Sequence, residues 1–214
     1  MSYAAKIKRL SKLNVKLTDQ VSKIYDENFP ESESSDFSNL ISSVAQGERL
    51  LLLAELANNV VGFAFIKPLA CRNIYFLEYL AIAQKMQSKG IGGKLLRYIA
   101  ENLFYQERAK GILLEVEPAE NVSEAEQNIR RRRIEFYRRH GAYIVSQTPS
   151  YRVPNLAGSG TLDLKLMYLP LDKTCELISE SELRNCIVSI FVDTYGRSED
   201  DPILKSVLED LSVN

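Results

Sequence analysis

MQSKGIGGKLL, residues 86–96, lies between a predicted strand, Ile74 to Ala83, and a predicted amphipathic helix that begins at Ile91. The N-terminus of a helix leaves backbone N–H groups unpaired and carries partial positive charge, so it attracts anions. Glycines in such a turn let phosphate oxygens approach the backbone, because no Cβ stands in the way. The segment from Gln87 to Gly93 is therefore predicted to bind phosphate groups.

The spacing of the glycines separates three kinds of phosphate loop. A Walker loop requires Ser or Thr after Gly93 and Lys94, where this chain has Leu95. The dinucleotide motif GxGxxG fits Gly90 and Gly92, but its third glycine also falls on Leu95. The glycines alone thus leave open a nicotinamide enzyme and a tight turn that binds no ligand.

Hydrophobic periodicity on both sides of the loop predicts an α/β (α+β) fold. Three consecutive strands before the loop favour a mostly antiparallel first half, and strands alternate with helices after it. The predicted elements are a strand from Lys12 to Leu17, a helix capped by Thr18 or Asp19 that runs towards Asn28, a helix from Phe37 to Gln46, strands from Leu50 to Leu56, Val60 to Ile66 and Ile74 to Ala83, a helix from Ile91 to Tyr105, a strand from Gly111 to Glu117, a helix from Ser123 to Arg139, and strands from Tyr143 to Val145 and Leu162 to Tyr168.

The pattern of the C-terminal part of the chain predicts two helices. Ser179 and Glu182 form a capping box before the first helix, and Asp201 begins the second. Each helix carries an apolar stripe that must be buried against the core or against a second subunit. We therefore predict one domain over residues 1–169 and a helical extension over residues 170–214, with a homodimer as one way to bury the extension.

The charge balance of the 214-residue chain argues against a polyanion as its partner. The 27 Lys and Arg residues face 28 Asp and Glu residues, so the chain lacks the basic field that nucleic acid or an acidic membrane surface requires. No stretch approaches the roughly 20 apolar residues of a membrane span, and residues 1–10 lack the apolar core of a signal peptide. We expect a cytoplasmic protein that binds neither nucleic acid nor membranes.

Cysteine and histidine usage narrows the chemistry further. Cys71, Cys175 and Cys186 are odd in number and lack CxxC spacing, so the sequence predicts buried thiols rather than disulfides or zinc ligands. His140 is the only histidine, which argues against zinc hydrolases and Ser-His-Asp sites. We expect no metal, and a carboxylate as any general base.

Two motifs, in the correct order, carry a resemblance to a known family. The first has the spacing L-x-V-x-P and then Q/R-x-x-G-x-G/A, and it consists here of Leu80, Ile82, Gln84, Gln87, Gly90 and Gly92. The second is IEFYRRHGAYIV, with Tyr137 near the end of a helix and Gly141 before a strand. Gln84 departs from the proline of the first motif, although the spacing holds. From Leu13 to Tyr168 the chain resembles the GNAT N-acetyltransferases.

The resemblance implies a twisted, mostly antiparallel sheet flanked by helices, with acetyl-CoA or another acyl-CoA as co-substrate and no metal. The strand before the loop would splay from the strand after the helix, and the pantetheine arm would enter the opening. An amine held in a ternary complex would then attack the thioester directly. The residues implied to bind the coenzyme are Leu80, Ala81, Ile82, Gln87, Ser88, Lys89, Gly90, Ile91, Gly92 and Gly93.

The same resemblance implies a catalytic pair. Glu78 stands where many family members keep a glutamate, and it is the implied general base. Tyr137 is the implied general acid, which donates a proton to the departing CoA thiolate. Glu115 and Glu117 share a face of the next strand, so each is a rival base or an anchor for a cationic acceptor.

The sequence says least about the residues that form the wall of the acceptor site and about the acceptor itself. Tyr25, Phe29 and Tyr151 lie in segments that form the substrate wall in similar proteins, and Glu115 and Glu117 are predicted to join them. The acceptor is expected to be a small-molecule or peptide amine of unknown identity. A module that binds CoA without turnover, as a sensor or in an assembly, is the alternative function.

Overall fold

The computed structural model describes residues 5–10, 14–30, 35–71, 73–172 and 177–211. The strands are β1 (Lys6–Arg9), β2 (Leu50–Leu56), β3 (Asn59–Pro68), β4 (Ile74–Ile82), β5 (Gly111–Val116), β6 (Tyr143–Ile144), β7 (Arg152–Pro154), β8 (Thr161–Asp163) and β9 (Lys165–Pro170). The helices are α1 (Val15–Asn28), α2 (Phe37–Gln46), α3 (Ile91–Glu107), α4 (Glu124–Arg138), α5 (Glu180–Ser189) and α6 (Pro202–Leu211).

Within these ranges the main sheet has seven strands in the order β1-β2-β3-β4-β5-β9-β6, and a separate hairpin pairs β7 with β8. Neighbouring strands of the main sheet are antiparallel except β4 and β5, which run parallel. The predicted mixed, mostly antiparallel α/β fold is confirmed.

Helices cover both faces of the main sheet. Leu95 of α3 lies in one buried cluster with Ala64 of β3, whereas Val21 of α1 and Leu40 of α2 lie in another cluster with Phe63. Phe63 and Ala64 face opposite helices because successive strand residues point to opposite faces. None of the helices in the described part of the chain combines the length and apolar character that crossing a bilayer requires.

The start of the chain differs from the prediction of a strand from Lys12 to Leu17. The first strand ends at residue 9, and α1 begins at residue 15, so the end of the predicted strand is helical. The physical reason is Asn14, whose Oδ1 accepts a hydrogen bond of 2.9 Å from the Lys16 N–H and thereby caps the helix. Residues 11–13 lie outside the described residues.

The strand predicted from Val60 begins one residue earlier, after a hairpin turn at Ala57 and Asn58. Ala57 and Asn58 have φ values of 47° and 62°, and Asn59 already begins β3. Two successive left-handed residues are typical of the turns whose twist matches an antiparallel hairpin.

The strand predicted from Leu162 to Tyr168 is two strands. Its first part is β8, which pairs with β7, and its second part is β9, which lies between β5 and β6 in the main sheet. The change occurs at Leu164, whose N–H donates to the carbonyl oxygen of Tyr151. Polar and apolar residues alternate through this point, so the sequence pattern did not indicate the change of partner.

The C-terminal helices begin at the predicted caps. Ser179 Oγ accepts a hydrogen bond of 3.3 Å from the Glu182 N–H, and Glu182 Oε2 accepts one of 3.4 Å from the Ser179 N–H. α5 then continues into a π-helical turn, Ile190–Thr194, in which the Tyr195 N–H donates to the Ile190 carbonyl oxygen. This turn extends the helix beyond the boundary of α5 and brings Tyr195 towards the main sheet.

Apolar side chains of both C-terminal helices pack against the rest of the chain. Leu183 of α5 and Val207 of α6 lie in one buried cluster with Leu113 of β5 and Tyr168 of β9. These parts of the predicted apolar stripes are therefore buried without a second subunit. A domain boundary at residue 170 and a homodimer stay predictions.

Cys71 and Cys186 form a disulfide, which corrects the prediction of buried thiols. Cys71 lies between β3 and β4, Cys186 lies in α5, and their Cα atoms are 5.4 Å apart although 115 positions separate them in sequence. The number and spacing of cysteines do not define such a pair, because the fold alone brings the two segments together. Cys175 lies outside the described residues.

Loss of this disulfide should destabilise the protein, because the bond restricts a long loop of the unfolded chain. We expect Cys186→Ser to lower the free energy of unfolding by about 2–4 kcal/mol and the thermal midpoint by roughly 5–15 °C, measured by calorimetry without reductant. Added reductant should lower the midpoint of the unsubstituted protein and leave that of the variant unchanged. Equal midpoints for the two oxidised proteins would contradict this expectation.

Candidate functional site

β4 and β5 diverge after a short parallel ladder. They pair over four residues on each strand, and the last pair is Leu77 with Leu114. Beyond that pair β4 continues beside β3 to Ile82, and β5 continues beside β9 to Val116. A cavity of about 690 Å³ lies along the diverging ends of these strands. The implied splay of the two strands is confirmed.

A β-bulge lies at the point of divergence. Two successive residues of β3 pair with Tyr79 and Leu77, so Glu78 is the additional residue on β4. The bulge interrupts the alternation of faces, because Leu77 and Leu80, three positions apart, pack in the same cluster. The faces to which the residues of β4 point therefore do not follow from simple alternation through Glu78.

Arg49 holds the carboxylate of Glu78. Its guanidinium donates from Nε to Oε2 (2.7 Å) and from Nη2 to Oε1 (2.9 Å), and the Glu78 side chain is only 2% exposed. The two-point contact fixes the plane of the carboxylate at the wall of the cavity, which Glu78 lines. Each carboxylate oxygen retains a further lone-pair site. Sequence reasoning missed Arg49, because no local pattern couples it to a residue 29 positions away.

The predicted phosphate loop leads into α3 with unpaired amides. Gly90 has a φ of 78° and precedes the helix, and the Lys94 N–H donates to its carbonyl oxygen. The N–H groups of Ile91, Gly92 and Gly93 therefore precede the first helical acceptor. In the described part of the chain no side chain caps this helix. The loop can thus offer three amides and a helix dipole to an anion.

Two of the loop glycines also allow α3 and α4 to approach each other. A Cβ on Gly93 would lie 2.9 Å from His140 Nε2, and one on Gly92 would lie 3.6 Å from the ring of Phe136. His140 is held in place, since its Nδ1 lies 2.8 Å from the Phe136 carbonyl oxygen. Helix packing is therefore a second reason for Gly93, beside the predicted access for phosphate.

The other residues predicted to bind the coenzyme form most of one cavity wall. Gln87 Nε2 donates to the carbonyl oxygen of Ile82 (3.1 Å), which fixes the loop to the end of β4. Lys89 does not line the cavity, and its Nζ donates to the Lys85 carbonyl oxygen (2.8 Å). The predicted residues that do line it are Leu80, Ala81, Ile82, Gln87, Ser88, Gly90, Ile91, Gly92 and Gly93.

Tyr137 presents its phenol to the cavity from the last turn of α4. Burial of the side chain raises its pKa to about 12, although the nearby positive charge of Arg133 acts in the opposite direction. Among the described residues the hydroxyl has no hydrogen-bond partner. Tyr137 is therefore a neutral O–H donor at ordinary pH, which is the state that a general acid requires.

Glu117 belongs to an ion-pair network with α4. Its two oxygens lie 2.6 Å from Arg130 Nη2 and 2.6 Å from Arg133 Nη1. Arg130 also contacts Glu126 one helical turn earlier (2.9 Å). Arg130 and Arg133 thus connect α4 to the end of β5. The described residues contain no group of three or more His, Cys, Asp or Glu side chains arranged to hold a metal ion.

Glu115 accepts hydrogen bonds from two tyrosines. Tyr151 donates to Oε1 (2.5 Å), and Tyr195, which follows the π-helical turn, donates to Oε2 (2.6 Å). Burial, and then the charge of Glu115, raise the pKa of both tyrosines well above its ordinary value. Both phenols therefore stay protonated and donate to the carboxylate. Tyr195 was not predicted, because its segment lies outside the part of the chain that resembles the family.

Of the predicted acceptor wall, Phe29, Glu115 and Glu117 line the cavity, whereas Tyr25 and Tyr151 do not. Tyr25 donates to the Ser35 carbonyl oxygen (2.9 Å) and lies in an aromatic cluster with Phe29. Tyr151 is buried behind the wall and contacts it through Glu115. These two tyrosines support wall residues.

Removal of Arg49 should expose the energetic role of its ion pair. We expect Arg49→Met to lower the free energy of unfolding by about 3–5 kcal/mol, because Glu78 would be left as a buried, unpaired charge. The double variant Arg49→Met/Glu78→Leu should recover most of this loss in chemical denaturation. Lys205→Met, which removes a solvent-exposed ion pair with Asp200, is the control and should have little effect. An equal loss in the single and the double variant would contradict the expectation.

Comparison with known proteins gives the same fold. Residues 47–141 match the family model described as acetyltransferase (GNAT) domain. A protein from Bacteroides thetaiotaomicron that is assigned to the GNAT family superposes with a TM-score of 0.71 and 22% identity, over 90% of this chain and 99% of that one. No curated protein sequence matches the chain.

Two further solved structures superpose at lower similarity. An aminoglycoside 6'-N-acetyltransferase complexed with coenzyme A has a TM-score of 0.61 and 19% identity, over 78% of this chain and 97% of its own. The ribosomal-protein-S18-alanine N-acetyltransferase from Escherichia coli has a TM-score of 0.56 and 18% identity, over 81% of this chain and 99% of its own. At such identities these likenesses concern the fold. Together with the family match, they confirm the resemblance carried by the two motifs: residues 47–141 match an acetyltransferase (GNAT) domain, and the fold is that of solved GNAT acetyltransferases.

Proposed function

We propose that the protein transfers an acetyl or other acyl group from acyl-CoA to an amine, by direct attack within a ternary complex. The observation that carries this proposal is the opening between β4 and β5, which leads to the unpaired amides at the start of α3. An acyl-CoA needs both features, because its pantetheine arm is long and narrow while its pyrophosphate is anionic.

The chain's own groups suit such a co-substrate. Among the described residues, no strand pairs with the part of β4 after Leu77 on the β5 side, so its backbone can bond an inserted arm as a sheet edge bonds an added strand. The loop amides of Ile91, Gly92 and Gly93 would hold the pyrophosphate. Arg132 and Arg139 also line the cavity and add positive charge near α4.

The reaction needs a proton acceptor and a proton donor. As the amine nitrogen bonds to the carbonyl carbon and the C–S bond breaks, one proton leaves nitrogen and the thiolate gains one. Tyr137 is proposed as the donor, since its neutral phenol faces the cavity. Glu78 remains our proposed base, acting through a lone pair that Arg49 does not occupy, and Glu115 is its rival.

The proposed activity can be tested by the release of free thiol from acetyl-CoA in the presence of amines. The panel should contain an arylalkylamine, a polyamine, an aminoglycoside and an alanyl peptide, with mass spectrometry of the acylated product. Amine-dependent release of thiol supports the proposal. Tight binding of CoA with no release on any amine would favour a non-catalytic CoA-binding module.

Tyr137→Phe should reduce turnover at saturating acetyl-CoA and amine by on the order of 10²-fold, the usual contribution of a general acid. The pKa of about 12 implies that the unsubstituted enzyme should not lose turnover through this hydroxyl until the pH approaches that value. Tyr105→Phe, at an exposed site outside the cavity, should leave turnover unchanged. Full turnover of Tyr137→Phe would remove the residue from the mechanism.

A pair of glycine variants separates coenzyme binding from backbone strain. Gly90 and Gly47 have φ values of 78° and 79°, and a Cβ would meet no atom within 4 Å at either position. Each Gly→Ala change should therefore cost a similar stability, roughly 1 kcal/mol. Only Gly90→Ala should also weaken CoA binding, by about tenfold in calorimetric titration, because the loop must distort. Equal CoA affinity in the two variants would contradict the proposed role of the loop.

The expected cytoplasmic location stays a prediction, and the disulfide between Cys71 and Cys186 bears on it. Such bonds persist mainly in oxidising compartments. Alkylation of thiols at the moment of cell lysis would report whether the bond is present in the cell.

A further inference from the structure

The cavity extends through the sheet from one face to the other. Tyr137 of the cavity wall packs in the buried cluster that contains Leu114 of β5, whereas Val153 of the wall packs in the cluster that contains Leu113. Successive strand residues such as Leu113 and Leu114 point to opposite faces, so Tyr137 and Val153 lie on opposite faces of the sheet. The opening between β4 and β5 therefore connects a space beside α3 and α4 with a space beside the β7–β8 hairpin.

The part of the cavity wall that the hairpin forms is apolar. Its residues are Val153 and Pro154 of β7, Leu156 of the connecting turn, Leu162 of β8 and Leu164. Val153 is the strand partner of Leu162. Leu156 keeps 36% of its surface exposed, and Leu162 and Leu164 are partly exposed. Such a surface gains free energy when hydrocarbon covers it.

Glu115 and Tyr195 are polar residues of the cavity wall on the same face as the hairpin. Tyr195 donates to Glu115 Oε2 (2.6 Å), and Tyr151, which precedes β7, donates to Oε1 (2.5 Å). These bonds attach the C-terminal segment and the start of the hairpin to β5. A hydrocarbon group that covers the apolar wall leaves them intact.

Groups suited to an amine lie in another part of the wall, formed by β4 and the segment after α1. Glu78, our proposed base, lines the cavity there, and so do Ser35 and Tyr79, whose hydroxyl groups are 3.1 Å apart. Tyr79 packs in the buried cluster of α1 and α2, whereas Val153 packs in the cluster of α5 and α6. The proposed base and the apolar hairpin thus belong to two separate regions of the wall.

The proposed binding of acyl-CoA gives the acyl group a direction. With its pyrophosphate at the start of α3, the pantetheine arm enters on the face of α3 and passes through the opening, so the acyl end emerges on the face of the hairpin. The thioester group is planar, and the acyl chain leaves it within that plane. The amine must approach the carbonyl carbon from outside the plane. The chain and the amine therefore require different regions of the wall.

We propose that the preferred donor carries an apolar acyl chain longer than acetyl, such as hexanoyl, and that this chain packs against the hairpin. Leu156, Leu162 and Leu164 then determine the specificity for the acyl group. The transfer keeps the same balance: the C–N bond forms as the C–S bond breaks, the nitrogen loses a proton, and the thiolate gains one. This inference rests on the proposed function, because it names the acyl donor of the same site.

Equilibrium binding tests the acyl preference without requiring an acceptor. CoA, acetyl-CoA and hexanoyl-CoA would each be titrated calorimetrically into the unsubstituted protein. A buried methylene contributes about fourfold in affinity, so we expect hexanoyl-CoA to bind at least about 30-fold more tightly than acetyl-CoA even if the wall covers its chain only in part. Equal affinity for the two thioesters, or tighter binding of acetyl-CoA, would overturn the inference.

Thiol release separates a failure of this inference from a failure of the proposed function. With an amine that accepts the acyl group, hexanoyl-CoA should give a kcat/KM at least about tenfold higher than acetyl-CoA gives. Absence of release from both thioesters on every amine would defeat the proposed transfer. Release from both with equal kcat/KM would instead overturn the acyl preference alone.

Two leucine variants and a matched control test the hairpin. Leu156→Ala and Leu162→Ala should each weaken hexanoyl-CoA binding by about fivefold, because each removes apolar surface that the chain would cover. Affinity for CoA, which has no acyl chain, should stay the same and serves as the check on folding. Leu177→Ala, at an exposed leucine outside the cavity, should leave hexanoyl-CoA affinity unchanged. Full hexanoyl-CoA affinity in both hairpin variants would overturn the role of the hairpin.

Discussion

The parallel ladder between β4 and β5 ends after four pairs, and the rest of the site depends on that early end. Had the ladder continued, the backbone groups beyond Leu77 would form hydrogen bonds with β5, and there would be no opening between the two strands. The bulge at Glu78 lies at the same point and increases the local twist of β4. One local irregularity thus opens the sheet, exposes a strand edge and places a glutamate at the opening. The cavity follows from an interruption of regular pairing.

The side of the site that we propose for the coenzyme was largely predictable because its determinants are local in sequence. A strand, a glycine turn and a helix follow one another between Ile74 and Glu107, and each has its own sequence pattern. Gly90 adopts the left-handed conformation in this turn. The same locality explains why most helices and strands were predicted nearly to their ends. Errors arose where a side chain outside the periodic pattern set the boundary, as Asn14 does for α1. They also arose where a continuous alternation changed partner, as at Leu164.

The side of the site that we propose for the acceptor was less predictable because its contacts are between distant segments. Glu78 was the implied base and Glu115 and Glu117 were its rivals, and the fold gives each a different partner: Arg49 for Glu78, two tyrosines for Glu115, and two arginines for Glu117. These partners lie 13 to 80 positions away in sequence, and no periodicity connects them. The disulfide between Cys71 and Cys186 likewise joins segments that are distant in sequence. The alternation of faces along β4 also breaks at Glu78, because the bulge inserts an additional residue there.

The position of Thr194 and Tyr195 in the chain has a consequence for biosynthesis. The ribosome translates β4, the glycine loop, β5 and α4 well before it reaches the π-helical turn. Of the described residues that line the cavity, Thr194 and Tyr195 come last in the chain. The wall beside Glu115 is therefore the last part of the cavity to be translated.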